Sequence, residues 1–180
     1  MRLDLFKNPG FDRGASRPKE FFWIIVSGFF FESCFPGSGW RVALLRLFGA
    51  KIGRGVVIKP RVRVKFPWRL VVGDHCWLGE EAWIDNLVHV KIGDHVCISQ
   101  GVYLCTGSHD WSLNTFDLVA KPIGIGHHSW LGAMCRVAPG VSIAEGAVLG
   151  FGSIAKSDLN AWSIYFGCPA EFVKKRALKG

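Results

Sequence analysis

Between Glu32 and Asp74 this 180-residue chain has no acidic residue, while nine basic ones fall there: Arg41, Arg46, Lys51, Arg54, Lys59, Arg61, Arg63, Lys65 and Arg69. The net charge of +8 is therefore concentrated in one stretch. Such a stretch is either a solvated basic face or a contact for anionic lipid headgroups. No nucleic-acid recognition motif accompanies it, so nucleic acid is not an expected partner. The six cysteines form no CxxC pair and show no zinc spacing, which argues against a disulfide framework or a zinc ribbon. They read as reduced, partly buried thiols of a cytoplasmic protein. A long apolar run is also missing. The uncharged segment from Phe21 to Phe31 has eleven residues, too few to cross a bilayer. It is expected to cap a fold or to lie at a membrane interface, which would place the protein at the inner face of the membrane. The polar, charged N-terminus lacks the pattern of a cleavable signal peptide.

What the chain does have is a period of six. Apolar residues recur at Ile52, Ile58, Val64, then Val72, Leu78, Ile84, then Ile92, Ile98, Leu104. The series resumes at Ile125, Leu131, Val137, Ile143, Leu149 and Ala155, with glycine often one place later. Neither an α-helix nor an ordinary strand has this period, and it predicts a parallel β-helix. Three hexads close one triangular coil of about eighteen residues. Ile52, Val72 and Ile92 are twenty apart, so the first coils carry two extra residues at one corner, near Lys65–Leu70 and Asn86–Val90. The skip from Leu104 to Ile125 implies an ejected loop over residues 108–122, and long loops on rigid scaffolds commonly carry function.

The chain divides into an N-terminal helical cap (residues 1–50), a β-helix (51–169) and a C-terminal tail (170–180). Two short helices are expected in the cap, separated at Cys34–Gly39, with Gly49 as a C-cap. A solenoid needs its ends covered. The basic tail is expected to form a short helix.

Four segments, CTGSHD (105–110), IGHHSWLGAMCRVAPGV (125–141), LGFGSIAKSD (149–158) and GCPA (167–170), resemble the hexapeptide-repeat O-acetyltransferases. The likeness covers residues 52–176 and is strongest to the colanic acid biosynthesis branch, related to the maltose and galactoside acetyltransferases. It implies a left-handed β-helix, a homotrimer, and acetyl-CoA as co-substrate, bound between subunits. A sugar or polysaccharide would be the acceptor. Another small acceptor (serine, an antibiotic, an amino sugar) and a non-catalytic scaffold remain as alternatives.

Moving an acetyl group from a thioester to a hydroxyl needs a base and oxyanion donors, and no covalent enzyme intermediate. His109, at the start of the ejected loop, matches the family's catalytic histidine. Asp85 and Asn86 at the corner one coil below, with Asp110 and Trp111 beside His109, are the candidate acceptor-binding residues. Asp85 or Asp110 is a candidate to orient the imidazole. The resemblance assigns the donor side to Trp130, Gly132 and Ala133, then Phe151 (where the family usually has Ala), Gly152 and Ser153. Lys156 and Lys174 would meet the phosphates. His75 and His95 are twenty apart, as are His89 and His109, so each pair is expected to stack. The closely spaced His pair of the zinc enzymes on this scaffold is absent, and no metal site is assigned.

Overall fold

A computed structural model describes residues 1–8 and 10–178. They form a parallel β-helix of about six turns with helices over its N-terminal end. The first face stacks Lys51–Ile52, Leu70–Val72, Val90–Ile92, Ile123–Ile125 and Ser142–Ile143. The second runs from Val57–Ile58 through Trp77–Leu78, Cys97–Ile98, Trp130–Leu131 and Val148–Leu149 to Ser163–Gly167. The third stacks Arg63–Val64, Trp83–Asp85, Tyr103–Cys105, Arg136–Val137 and Ile154–Ala155. The register joins Ile52 to Val72 and Ile92 to Ile125, as the hexad series requires.

Every hexad residue is buried, from Ile52 to Ala155. So is a second series two positions earlier, which includes Val56, Val62, Cys76, Ala82, Val96, Val102, Ser129, Cys135, Ala147 and Ser153. Each coil thus contributes two inward residues per face. Burying one large aliphatic side chain contributes about 1.5–3 kcal/mol. Burial also pushes the Cys76 and Cys135 thiols up from their ordinary value. Gly79 shows why glycine follows the apolar residue. A Cβ there would lie 2.5 Å from the backbone of Ser99 and Gln100 in the next coil.

All the extra residues fall at one corner, where the third face turns into the first. The first coil makes a 3-10 turn at Pro67–Arg69 and the second bends at Asn86–His89. The third projects a hairpin, in which Gly107–His109 pairs antiparallel with Leu118–Ala120. The ejected segment is therefore ordered strand at its base and loop only at its tip.

Helix α1 (Arg17–Val26) widens into a π-turn over Ser27–Phe31, and α2 spans Gly39–Leu47. Trp23, Phe31, Val42 and Leu45 plug the open end, and the Trp23 indole donates to the Val64 carbonyl at 3.0 Å. Gly49, at φ +99°, ends α2. The loop between the helices is built around Arg41. Its buried guanidinium donates to the carbonyls of Phe31, Ser33, Phe35 and Gly37 at 2.7–3.2 Å. No helix among the described residues is long and apolar enough to cross a membrane.

The tail is not helical. Ala170–Lys175 is a strand antiparallel to Ser163–Gly167. The last second-face strand has an unpaired edge, and the 167–170 turn folds the chain back along it. Phe172 then packs on Tyr165, and Lys175 Nζ donates to Ser163 Oγ at 3.1 Å. Edge pairing overrides the helical reading of the basic residues; Lys179 and Gly180 lie outside the described residues.

Candidate active site

His109 ends the first hairpin strand, and Phe116 precedes the second. The imidazole lies flat on the Phe116 ring, with centroids 4.2 Å apart and planes 3° apart. Its Nδ1 is 2.8 Å from the Phe116 carbonyl oxygen. A carbonyl only accepts, so Nδ1 carries the proton and Nε2 keeps its lone pair. Phe116 sits at φ +52°, a conformation costing a non-glycine residue about 1–2 kcal/mol. A strained turn therefore fixes the tautomer and aim of the histidine.

In this arrangement the group bonded to the His109 ring is the Phe116 carbonyl and not a carboxylate. The Asp110 carboxylate instead accepts from Ser112 N–H and Oγ–H, and those two donors hold its carboxyl below the usual range. Asp85 Oδ1 lies 2.9 Å from Lys65 Nζ, and its Oδ2 accepts from Tyr103 Oη–H at 3.0 Å. Burial, then the Cys105 hydrogen bond and the Asp85 charge, push the Tyr103 phenol up. The orienting group is a backbone carbonyl, which residue types do not reveal.

Asn86 is also corrected. It is fully buried, and its amide clamps the Phe66 backbone one coil below, accepting from N–H at 2.9 Å and donating to C=O at 2.8 Å. It joins two coils and presents nothing to an acceptor. Trp111 stands at the hairpin tip, 82% exposed. It lines a cavity of about 330 Å³ with Ser108, His109, Asp110, Val119, Lys121 and Pro139. Lys121 also borders an adjoining cavity of about 600 Å³, which contains His89 and Lys91. Sequence reasoning passed over Lys121, which lies just beyond the second hairpin strand.

It also missed the N-terminal arm. Arg69 is buried at the 3-10 turn, where its guanidinium donates to the carbonyls of Asp12 and Leu87. The Trp68 indole donates to the Arg13 carbonyl at 2.7 Å. From there the arm reaches the third-coil hairpin, where Arg2 N–H donates to the Asn114 carbonyl at 2.9 Å. Phe6 meets the His109 ring edge-on, with centroids 5.6 Å apart. Removing that contact in Phe6→Ala frees one side of the imidazole. An aromatic pair is worth about 0.5–1.5 kcal/mol, so the turnover number is expected to fall about 2- to 10-fold with coenzyme affinity unchanged. Steady-state kinetics beside calorimetric titration of the coenzyme checks this.

Of the donor candidates, Trp130, Gly132, Ala133, Phe151 and Gly152 lie at the opposite edge of the third face, where the second face turns into it. Gly132 N–H donates to the Leu149 carbonyl at 2.8 Å, and Gly152 N–H to the Ala133 carbonyl at 2.9 Å. Gly152 has φ +68°. Trp130 and Phe151 are exposed, and the Trp130 indole donates to Ser99 Oγ at 3.0 Å. A cavity of about 520 Å³ extends from Trp130 along the second face past Cys97 to Trp77. Ser153 does not join this surface. It belongs to the second inward series, and its hydroxyl accepts from Gly167 N–H at 3.0 Å. Lys156 follows the last third-face strand, and Lys174 lies on the terminal hairpin; both are exposed.

His75 and His95 stack at 5.2 Å as their spacing predicts, and His128 continues the stack at 5.2 Å. His109 leaves its expected partner His89 and stacks on Phe116. Parallel rings send their in-plane lone pairs along parallel planes, not to a common point. Among the described residues no group of three or more His, Cys, Asp or Glu is placed to hold a metal ion.

Residues 69–105 and 122–154 match the family model for the hexapeptide repeat of succinyl-transferase. WcaF of Escherichia coli (strain K12), named as a colanic acid biosynthesis acetyltransferase, is 41% identical over 93% of this chain and 92% of its own length. The galactoside O-acetyltransferase of the same organism is 25% identical over 75% of this chain and 68% of its own. A hexapeptide-repeat acetyltransferase from Vibrio cholerae O1 biovar eltor, solved with acetyl coenzyme A, superposes with a TM-score of 0.81 at 21% identity, over 97% of both chains.

Proposed function

This chain belongs to the hexapeptide-repeat acetyltransferase family, and on that footing we propose that it transfers the acetyl group of acetyl-CoA to a hydroxyl of a sugar or exopolysaccharide intermediate. His109 is the general base. Its Nε2 takes the hydroxyl proton as the acceptor oxygen attacks the thioester carbon. The imidazolium so formed keeps its Nδ1–H on the Phe116 carbonyl, with the Phe116 ring against its face. Collapse of the tetrahedral intermediate breaks the C–S bond, and the proton on Nε2 passes to the leaving thiolate. The Ala133 N–H has no acceptor among the described residues and is the candidate donor to the oxyanion. Trp130, Gly132 and Gly152 border the pantetheine arm, and Lys156 and Lys174 pair with the nucleotide phosphates. Trp111 gives the sugar ring a stacking surface, and Lys121 stands at the acceptor pocket.

The observation that carries this reading is the fixed imidazole with its free Nε2 inside a cavity. One further point supports a homotrimer. In one chain, His109 and the donor corner stand at opposite edges of the third face. A neighbouring copy brings one against the other. The location that fits is cytoplasmic, peripheral to the inner face of the membrane.

Incubating the purified protein with acetyl-CoA and a panel of nucleotide sugars and oligosaccharides, with free thiol as the readout, tests the proposal. Thiol release that depends on a saccharide, with an O-acetylated product by mass spectrometry, is the expected result. Absence of acetyl-CoA binding by calorimetry would overturn the enzymatic reading in favour of a scaffold.

A further inference from the structure

The helical cap has two apolar sides, and the fold uses only one. Trp23, Phe31 and Leu45 face the β-helix and are buried. Away from the β-helix, Phe21, Phe22, Ile24, Phe29, Phe30 and Leu47 of the cap are 57–76% exposed. A cleft of about 680 Å³ opens between Phe30 and Leu47, with almost wholly apolar walls. Soluble proteins rarely leave so many large apolar side chains together in water unless a partner covers them.

Charge identifies the partner. The first coil, directly under the cap, carries seven cations and no carboxylate between Lys51 and Arg69. Arg54, Arg61 and Lys65 pair with Asp74, Glu81 and Asp85 of the second coil. Arg63 lies over the Trp83 ring and Lys59 lines the second-face cavity, but Lys51, just after α2, and Arg17, at the start of α1, are exposed and have no carboxylate partner among the described residues. Exposed aromatics on helices flanked in the chain by unpaired cations, above a basic coil, have the chemistry of an interfacial anchor: rings enter the headgroup boundary while ammonium and guanidinium groups meet anionic headgroups. The cap is too short to span.

We infer that the outer side of the N-terminal cap docks the protein on the surface of an anionic phospholipid bilayer. The face lies at one end of the β-helix, away from the His109 hairpin, so the active site stays in water while the cap is seated. Copies in a cyclic assembly point their caps the same way, and their weak individual contacts add. The inference stands apart from the acetyl-transfer reading, because vesicle binding is measured without coenzyme or acceptor.

Flotation of the full chain with phosphatidylcholine vesicles, with and without about one-third phosphatidylglycerol, tests it. Binding to the anionic vesicles should exceed binding to the neutral ones by at least about tenfold and weaken as salt is raised. The double variant Phe29→Ser/Phe30→Ser should lose at least about tenfold of that binding while keeping its circular dichroism and its acetyl-CoA affinity. Failure of the parent chain to float, or flotation unchanged in the double variant, overturns the inference. So does a parent chain that pairs cap to cap in sedimentation, with the pairing lost in the double variant, because a second copy would then be the occupant.

Discussion

His109→Ala is expected to turn over about 10²–10⁴-fold more slowly than the parent chain, with coenzyme affinity unchanged. The size of the loss follows from the base alone. The donor corner lies at another edge of the β-helix, and it keeps its own hydrogen bonds when the imidazole is removed. The hairpin holds as well, since Gly107, Ser108 and His109 pair with Ala120, Val119 and Leu118 through backbone. What disappears is a proton acceptor whose ring is fixed on two sides, by Phe116 and Phe6, and whose tautomer is set by a carbonyl. Single-turnover thiol release, with coenzyme binding followed by calorimetry, separates chemistry from affinity. A His109→Ala variant that keeps the parent rate would remove His109 as the base.

Arg41→Leu is expected to destabilise the fold by several kcal/mol, at about 1–3 kcal/mol for each buried carbonyl left without a donor. The guanidinium holds four carbonyls of residues 31–37, and leucine fills the volume while leaving all four without a donor. Burial lowers the guanidinium pKa from its ordinary value, with the Cys34 thiol acting in the opposite sense, and the group remains a cation at neutral pH. Arg41→Lys should rescue little, because one ammonium cannot span carbonyls that a planar fork reaches together. The urea midpoint of each variant checks this. An unchanged midpoint for Arg41→Leu would show that the loop finds its donors elsewhere.

How much was readable from sequence varies by element. The hexad residues announced themselves because each is aliphatic and evenly spaced. The second inward series was hidden because its members include serine, cysteine and alanine as well as valine, and small polar residues fit beside a corner as easily as apolar ones. That is why Ser153 was placed on the donor surface when its hydroxyl belongs to the interior. Asn86 misled for a related reason. An Asp-Asn pair in a turn looks available, yet its amide matches the backbone one coil below. His109 stood out because it lies where the period breaks. Its anchor was not, since any residue at position 116 supplies a carbonyl and only the chain path brings that oxygen to Nδ1. The terminal strand was misread because composition carries no record of an unpaired edge waiting one turn earlier.

The arm that reaches the hairpin has a consequence for the order in which the molecule is completed. Coils contact only their neighbours, so the β-helix can lengthen turn by turn as chain becomes available. Arg2 and Phe6 have no such near neighbour. Their partners are Asn114 and His109, more than a hundred residues later. During synthesis Arg2 and Phe6 therefore wait for residues 107–120 to exist before they can be seated, while the first two coils need only chain already made. The wall that Phe6 gives His109 is thus set by the closure of one long loop, whereas each coil is set by short returns to its neighbour.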